Sequence, residues 1–305
     1  MKAETLPPEE RWPDPPRVLL PRPSSIFLDR SRRLASLAKG HSMGPWLSFL
    51  GRLTMVQHEL LQKYPPLPMP EKRALPSPGE HTQPPLSAWS WLRDPFWRQG
   101  AAELARKLQP YAPPLGVETL KSIQAMDAAT LEELADRVLA CELDGPEGPY
   151  LPFIAAALQV YWTALAADLD QGKVAPAETP GACPACGFLP NAGLVRTDGE
   201  VARLRYLHCG LCNTEWHLVR VTCAACRDSS SVAYYHVEGS DGSVRAETCD
   251  ACRSYLKIIY RDKAPEADPV ADDLATLALD LSVEEAGYVG AGLNLLSAPS
   301  FTPAA

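Results

Sequence analysis

Positive charge is in short supply: 29 Lys and Arg stand against 37 Asp and Glu, giving a net charge of -8 and a pI near 5.3. Such a balance argues against a general nucleic-acid or anionic-membrane binder. Only six histidines are present. No Ser-His-Asp arrangement, phosphate-binding loop or paired-carboxylate motif can be found, so hydrolysis and nucleotide chemistry lack their usual residues. The opening stretch MKAETLPPEERWPDPPRV carries no apolar signal core, and the chain is expected to be cytoplasmic with reduced thiols. Long hydrophobic runs are also missing, with one exception at residues 149–167, which hold no formal charge. Pro152, Gln159, Thr163 and several weakly hydrophobic alanines make that run a buried helix rather than a membrane span, so no membrane insertion is expected.

With 305 residues, 46% apolar and 22% charged, the chain has ordinary globular composition and length for about two domains. Proline is the outlier at 31 residues, seven of them within residues 1–23 and eight between Pro65 and Pro85. The first cluster predicts an extended arm without regular structure over 1–23, the second a loop or contact arm. Helical spacing of apolar residues predicts helices over 26–39 and 45–62, over 86–108 with an interruption at Pro95, and over 116–126, 128–139 and 150–169. Asp127 is the expected N-cap of the fifth. Residues 24–170 thus form an expected all-helical domain, and 171–181 a linker.

Beyond the linker the pattern changes to short runs rich in Val, Ile, Tyr and Arg at 201–206, 216–221, 232–237, 243–247 and 255–260, separated by turn signals such as Thr197-Asp198-Gly199. These predict small hairpins. Helical spacing returns at 268–281 before a Gly-rich tail. The fold class is α+β: an N-terminal helical domain, two tandem small rubredoxin-like or zinc-ribbon-like modules at 182–222 and 223–264, and a C-terminal helix and tail at 265–305.

Of nine cysteines, eight form four C-x-x-C knuckles: Cys183/Cys186, Cys209/Cys212, Cys223/Cys226 and Cys249/Cys252. The spacers between knuckles are 22, 10 and 22 residues, and a shift of 40 maps the first two knuckles onto the last two. This is an internal duplication. Two knuckles at this spacing can surround one metal ion tetrahedrally with four thiolates. The repeat favours pairing the first knuckle with the second and the third with the fourth, since each unit then closes its own site. The alternative partitions join the first with the third and the second with the fourth, or the first with the fourth and the second with the third. All-sulfur tetrahedra suit zinc, a single iron or, less readily, an iron-sulfur cluster. Four protein ligands saturate such a site, which disfavours Lewis-acid catalysis and leaves a structural or electron-storing role. His208 and His217 flank the second knuckle and read as strand side chains.

Residues 183–262 hold nine Lys/Arg and nine Asp/Glu. Eight thiolates at -1 each and two divalent ions at +2 each leave that region at -4, the wrong sign for phosphate recognition, so no nucleic-acid partner is expected. Trp89, Trp91 and Trp97 are expected in the core, Cys141 as a small buried hydrophobe, and Asp272 and Asp273 as residues that cap and charge the start of the last helix.

The runs R-Y-L-H-C-G-L-C-N-T-E-W-H at 205–217, A-E-T-C-D-A-C-R-S-Y-L-K at 246–257, A-D-D-L-A-T-L-A-L-D at 271–280 and G-H-S-M-G at 40–44 together resemble the FdhE family, accessory proteins for formate dehydrogenase formation. The resemblance implies a cytoplasmic, non-catalytic assembly factor that associates with the catalytic subunit of a respiratory formate dehydrogenase before export. It also implies two mononuclear rubredoxin-like iron sites, with zinc as the alternative, whose ligands are the eight paired cysteines. A homo-oligomer is compatible with it. Rubredoxin knuckles continue C-x-x-C-G, whereas here only Cys186 is followed by glycine; Asn213, Arg227 and Arg253 follow the others, which predicts weaker N–H to sulfur bonding there. Competing readings are a thiol-active carrier of sulfur or disulfides, and a generic zinc-ribbon scaffold for an unrelated protein partner.

Overall fold

A computed structural model describes residues 15–67, 83–197 and 203–297. Most of the Pro65–Pro85 loop, the first fourteen residues of the arm, the turn at Asp198-Gly199, the start of the 201–206 run and the end of the Gly-rich tail lie outside the described residues.

The helical half contains α1 (Ile26–Leu37), α2 (Gly44–Leu61), α3 (Phe96–Leu108), α4 (Pro114–Ala125), α5 (Ala128–Leu139) and α6 (Leu151–Ala167). The uncharged run becomes α6 and is buried on nearly every side, as expected of a helix that is apolar all round. α2, α3 and α5 pack on it. Tyr161 and Trp162 stand edge to face at 5.1 Å, and the indole N–H of Trp162 donates to the Leu86 carbonyl at 3.0 Å. Asp127 caps α5 as predicted, accepting from Thr130 N at 2.8 Å. The helix expected from residue 86 begins only at Phe96. Leu86 N and Ala88 N donate to the carbonyls of Ala185 and Cys186 at 2.9 and 2.8 Å, so those donors serve the cysteine region instead of a helical ladder. Trp97 is fully buried, whereas Trp89 is 62% exposed, contrary to its expected place in the core.

The second half is one sheet built from β1 (Val18–Leu19), β2 (Pro190–Val195), β3 (Arg205–Cys209), β4 (Glu215–His217), β5 (Val232–Tyr235), β6 (Val244–Cys249), β7 (Ser254–Tyr260) and β8 (Val289–Gly290). The order is β1-β4-β3-β2-β7-β6-β5, with β8 added to β7. The hairpins of the two repeats are therefore joined edge to edge. β2 runs parallel to β7, with Gly193 opposite Ile258 and Val195 opposite Tyr260, and every other neighbour pair on that path is antiparallel. Gly193 makes the junction close: a Cβ there would sit 2.5 Å from Ile258 Cδ1. The arm is partly structured, contrary to the expectation for 1–23. Val18 and Leu19 pair with Trp216 and Glu215, and the Arg17 and Pro16 carbonyls accept from His217 N and Tyr206 Oη, both at 2.9 Å. A proline-flanked strand is tolerated there because it lies at the sheet edge.

The expected C-terminal helix is broken into α7 (Pro269–Leu274) and α8 (Leu277–Glu285). Lys257 Nζ takes the Asp273 carbonyl at 2.7 Å and Thr276 Oγ1 takes that of Asp272 at 2.8 Å, so side chains occupy acceptors at the break. Asp268 is the N-cap of α7, accepting from Val270 N and Ala271 N. Asp272 only shares in the cap, through Asp268 N at 2.8 Å, and ion-pairs with Arg33. Asp273 does not cap; it pairs with Lys257 at 2.7 Å. α7 touches α1, β2 and β7, which ties the end of the chain to both halves.

Candidate metal centres

Each C-x-x-C segment is a tight turn. Gly187 N donates to the Cys183 carbonyl at 2.7 Å, Arg227 N to that of Cys223 at 3.0 Å and Arg253 N to that of Cys249 at 2.8 Å. The residue after each knuckle is left-handed in all four cases: φ is 79° at Gly187, 60° at Asn213, 67° at Arg227 and 58° at Arg253. Three non-glycine residues thus adopt the turn that glycine would. Asparagine visits this region readily; for arginine the cost is on the order of 1 kcal/mol. Arg253 is also held by its side chain, which lies 4.0 Å from the Tyr288 ring centroid and donates to the Ala286 carbonyl at 2.7 Å. N–H to sulfur bonding survives at the knuckle that ends in Asn213, where Leu211 N and Cys212 N both donate to Cys209 Sγ at 3.4 Å.

Glycine is needed at position 187 for a second reason. A Cβ there would lie 2.7 Å from Trp89 Cζ3 and 3.1 Å from Pro84 Cγ. Gly187→Ala is expected to cost about 1–2 kcal/mol through the left-handed turn and the crowded ring. Adding Trp89→Ala should return the steric part, so thermal melts of the two single variants and the double variant should be non-additive; strict additivity would remove the proposed contact.

The sulfurs gather in two groups of four. Cys183, Cys186, Cys209 and Cys212 have their Sγ atoms within 4.8 Å of one another, and so do Cys223, Cys226, Cys249 and Cys252. The first knuckle therefore meets the second and the third meets the fourth, which eliminates the two alternative partitions. Sγ separations are 3.6 Å for Cys183–Cys212, 3.5 Å for Cys186–Cys209 and 3.7 Å for both Cys223–Cys252 and Cys226–Cys249. These are far beyond a disulfide bond. A tetrahedral ion with metal–sulfur bonds of about 2.3 Å sets its sulfurs about 3.8 Å apart, so both groups have the spacing of such a site and can hold a metal ion.

Equivalent hydroxyls stand beside the two clusters, 40 residues apart. Thr214 Oγ1 is 3.2 Å from Cys212 Sγ, and Ser254 Oγ is 3.0 Å from Cys252 Sγ. Burial drives the Cys183 and Cys186 thiols well up. At Cys212 burial acts the same way, but side-chain hydrogen bonding with Cys183, Cys186, Cys209 and Thr214 outweighs it and brings the thiol well below its ordinary value. Slight burial raises Cys252, and the Ser254 hydroxyl and backbone more than offset it, leaving that thiol at about 7. A thiolate is the metal-binding form, and these hydroxyls favour it.

The first cluster sits where the two halves of the protein meet. Arg30, fully buried on α1, donates to Asp268 Oδ1 at 3.0 Å and to Asn213 Oδ1 at 2.8 Å. Asn213 in turn donates to Thr163 Oγ1 at 2.8 Å, and Gln159 donates to the Gly210 carbonyl at 2.8 Å. α1, α6 and α7 therefore grip the second knuckle through its backbone and the Asn213 side chain. Sequence reading gave Arg30 and Asp268 no role and took Gln159 only as a polar residue that makes 149–167 a buried helix; Gln159, a polar residue in an uncharged apolar run, was the one local signal, since Arg30 lies among charged neighbours. His208 is buried with Nδ1 2.7 Å from Asn191 Oδ1, and burial, with Arg30 nearby, lowers its pKa to about 3. It belongs to neither sulfur group, nor does His217. Cys141 is exposed with a positive φ of 63° just past α5, not the buried hydrophobe expected; it follows the end of the helix, where the chain turns away from the core.

Comparison with known proteins covers almost the whole chain. Family profiles described as "FdhE, N-terminal", "FdhE, central domain" and "FdhE, C-terminal domain" match residues 15–179, 182–220 and 221–297. A "Protein FdhE homolog" of Actinobacillus pleuropneumoniae serotype 3 is 35% identical over 279 residues, spanning 92% of this chain and 91% of its own. "Protein FdhE" of Escherichia coli O1:K1 / APEC is 34% identical over 281 residues, spanning 92% and 90%. The crystal structure of the FdhE protein from Pseudomonas aeruginosa superposes with a TM-score of 0.79 at 35% identity, covering 93% of this chain and all of that one.

Proposed function

Because the chain belongs to the FdhE family, we propose that it is a cytoplasmic accessory factor for formate dehydrogenase. In this reading it binds the catalytic subunit of a respiratory formate dehydrogenase before export and supports its maturation, without itself being an enzyme. The observation that carries the metal part is the pair of four-sulfur groups with tetrahedral spacing. Cys183, Cys186, Cys209 and Cys212 would hold one ion, and Cys223, Cys226, Cys249 and Cys252 the other. With four protein donors each, the sites have no position reserved for substrate. Iron is the preferred ion; when bound by four thiolates it can store one electron, whereas zinc would serve structure alone. The chain's own part is to orient the thiolates: Leu211 N and Cys212 N donate to Cys209 Sγ, the Thr214 and Ser254 hydroxyls stand beside Cys212 and Cys252, and the Arg30–Asn213 contact fixes the first site against the helices. Among the described residues no helix is long and apolar enough to cross a membrane.

Anaerobically purified protein is expected to contain two irons per chain and to show thiolate-to-iron charge-transfer bands, each cluster's Cys→Ser variants losing half. Two zincs instead would assign the sites to structure alone, and a metal-free protein would overturn the metal reading. Co-purification with a formate dehydrogenase catalytic subunit is the expected partner result; a chain that reproducibly ignores that subunit refutes the client.

A further inference from the structure

The two sulfur groups are duplicates in spacing and opposites in setting. In the first, Cys183, Cys186, Cys209 and Cys212 are all fully buried. Leu86 N and Ala88 N occupy carbonyls of the first knuckle, Trp89 lies over Gly187, Gln159 holds the Gly210 carbonyl, and Arg30 and Thr163 hold Asn213. A reagent can reach those sulfurs only if the interface between the helices and the sheet opens. In the second group, Cys223 and Cys249 are buried but Cys226 and Cys252 are exposed. Its fourth knuckle is held from the sheet side and the chain end: Val289 N donates to the Arg253 carbonyl at 2.9 Å, Ala291 N to that of Tyr255 at 2.8 Å, and Arg253 stacks on Tyr288. One knuckle sulfur from each half of this site therefore faces solvent.

We propose that the two centres have different jobs: the first is a permanent fastener between the helical domain and the sheet, and the second is an exchange site from which an incoming thiolate can take the metal by way of Cys226 and Cys252. This rests on the metal reading above. In each step the incoming thiol gives up its proton and its sulfur bonds the metal, while the bond from Cys226 or Cys252 Sγ breaks and that sulfur takes a proton. The oxidation state of the metal does not change, and no oxidant or reductant is consumed. Buried Cys223 and Cys249 would go on holding the metal while Cys226 and Cys252 are displaced, which would keep it from being shed into solvent.

The test loads the full-length protein with zinc and challenges it with an excess of a small dithiol, following zinc release, and in parallel maps by mass spectrometry which cysteines a soft alkylating reagent reaches first. Half of the metal is expected to leave at least roughly 100-fold faster than the rest, because release from a buried site waits on local opening. The paired variant Cys226→Ser/Cys252→Ser should bind one ion and show the slow phase alone, and in the parent chain Cys226 and Cys252 should be alkylated ahead of the other six. Equal release from both sites, or first alkylation at Cys183, Cys186, Cys209 or Cys212, overturns the division of labour while leaving the metal reading intact. Failure to take up two ions overturns the metal reading, and this inference with it.

Discussion

With Cys209 and Cys212 both replaced by serine, the protein should lose the cooperative link between its halves, and the helical domain should become open to protease at temperatures where the parent chain resists. Structural four-ligand zinc contributes about 10–16 kcal/mol in small metal-dependent domains, as large as the whole stability of a typical fold at about 5–15 kcal/mol. Here the ion would sit behind contacts from α1, α6 and the 84–91 segment, so its loss also leaves fully buried sulfur and hydroxyl groups without their partner. The matching change at Cys249 and Cys252 should be milder, since half of that site is already in water. Limited proteolysis and thermal melts of the two double variants compare them directly. Equal resistance of the first variant and the parent would show that the fastener holds nothing.

Arg30→Met is expected to be the most damaging single change outside the cysteines, at about 3–5 kcal/mol, because it strands the carboxylate of Asp268 in the interior. Both partners are nearly excluded from solvent, with side-chain exposures of 0% and 9%. The same guanidinium positions Asn213, so one substitution releases α7 and the second knuckle together. Combining Arg30→Met with Asp268→Asn should recover part of the loss, since the stranded charge disappears while an asparagine still caps α7. Acid should expose the same linkage. Burial pushes the Asp268 carboxyl up, but Arg30 and the α7 backbone outweigh it and hold it below its ordinary value of 3.8. Its contribution is therefore fully present above that value and is lost as pH falls through the lower value it has in the folded chain. Denaturant melts of the parent, the single variants and the double variant give the coupling; a double variant as unstable as the sum of the singles contradicts the pairing.

What could be read from the residues depended on the range of the signal. The knuckles announce themselves through identical short spacings, and the 40-residue shift alone favours the local pairing that brings Cys183, Cys186, Cys209 and Cys212 together. α6 and the Asp127 cap follow from local composition. Strand β2 was missed because Pro190 and Gly193 read as loop residues, although Gly193 is there to admit Ile258. Residues 86–91 carried a helical pattern, but the N–H groups of Leu86 and Ala88 found acceptors on a knuckle nearly 100 residues away. The Arg30–Asp268 pair joins positions 238 apart, and nothing in either neighbourhood points to the other. The inequality of the two sulfur groups was invisible for the same reason: the knuckle spacings repeat in sequence, and it is contacts from distant residues of the helical domain, Arg30, Leu86, Ala88, Gln159 and Thr163, that bury the first group.

The parallel seam between β2 and β7 has a further consequence. Under the 40-residue shift β3 falls on β6 and β4 on β7, while β2 and β5 are both first strands of their repeats. β2 thus docks on the same edge of the second repeat that β4 presents in the first, a head-to-tail contact that does not close on itself. Contacts of that kind can in principle add units without limit, β5 of one molecule meeting β4 of the next. The short strand Val18–Leu19 lies along that edge of β4. A proline-bordered segment is a poor template for another strand compared with an open edge, so the arm covers the edge at which a further unit would dock.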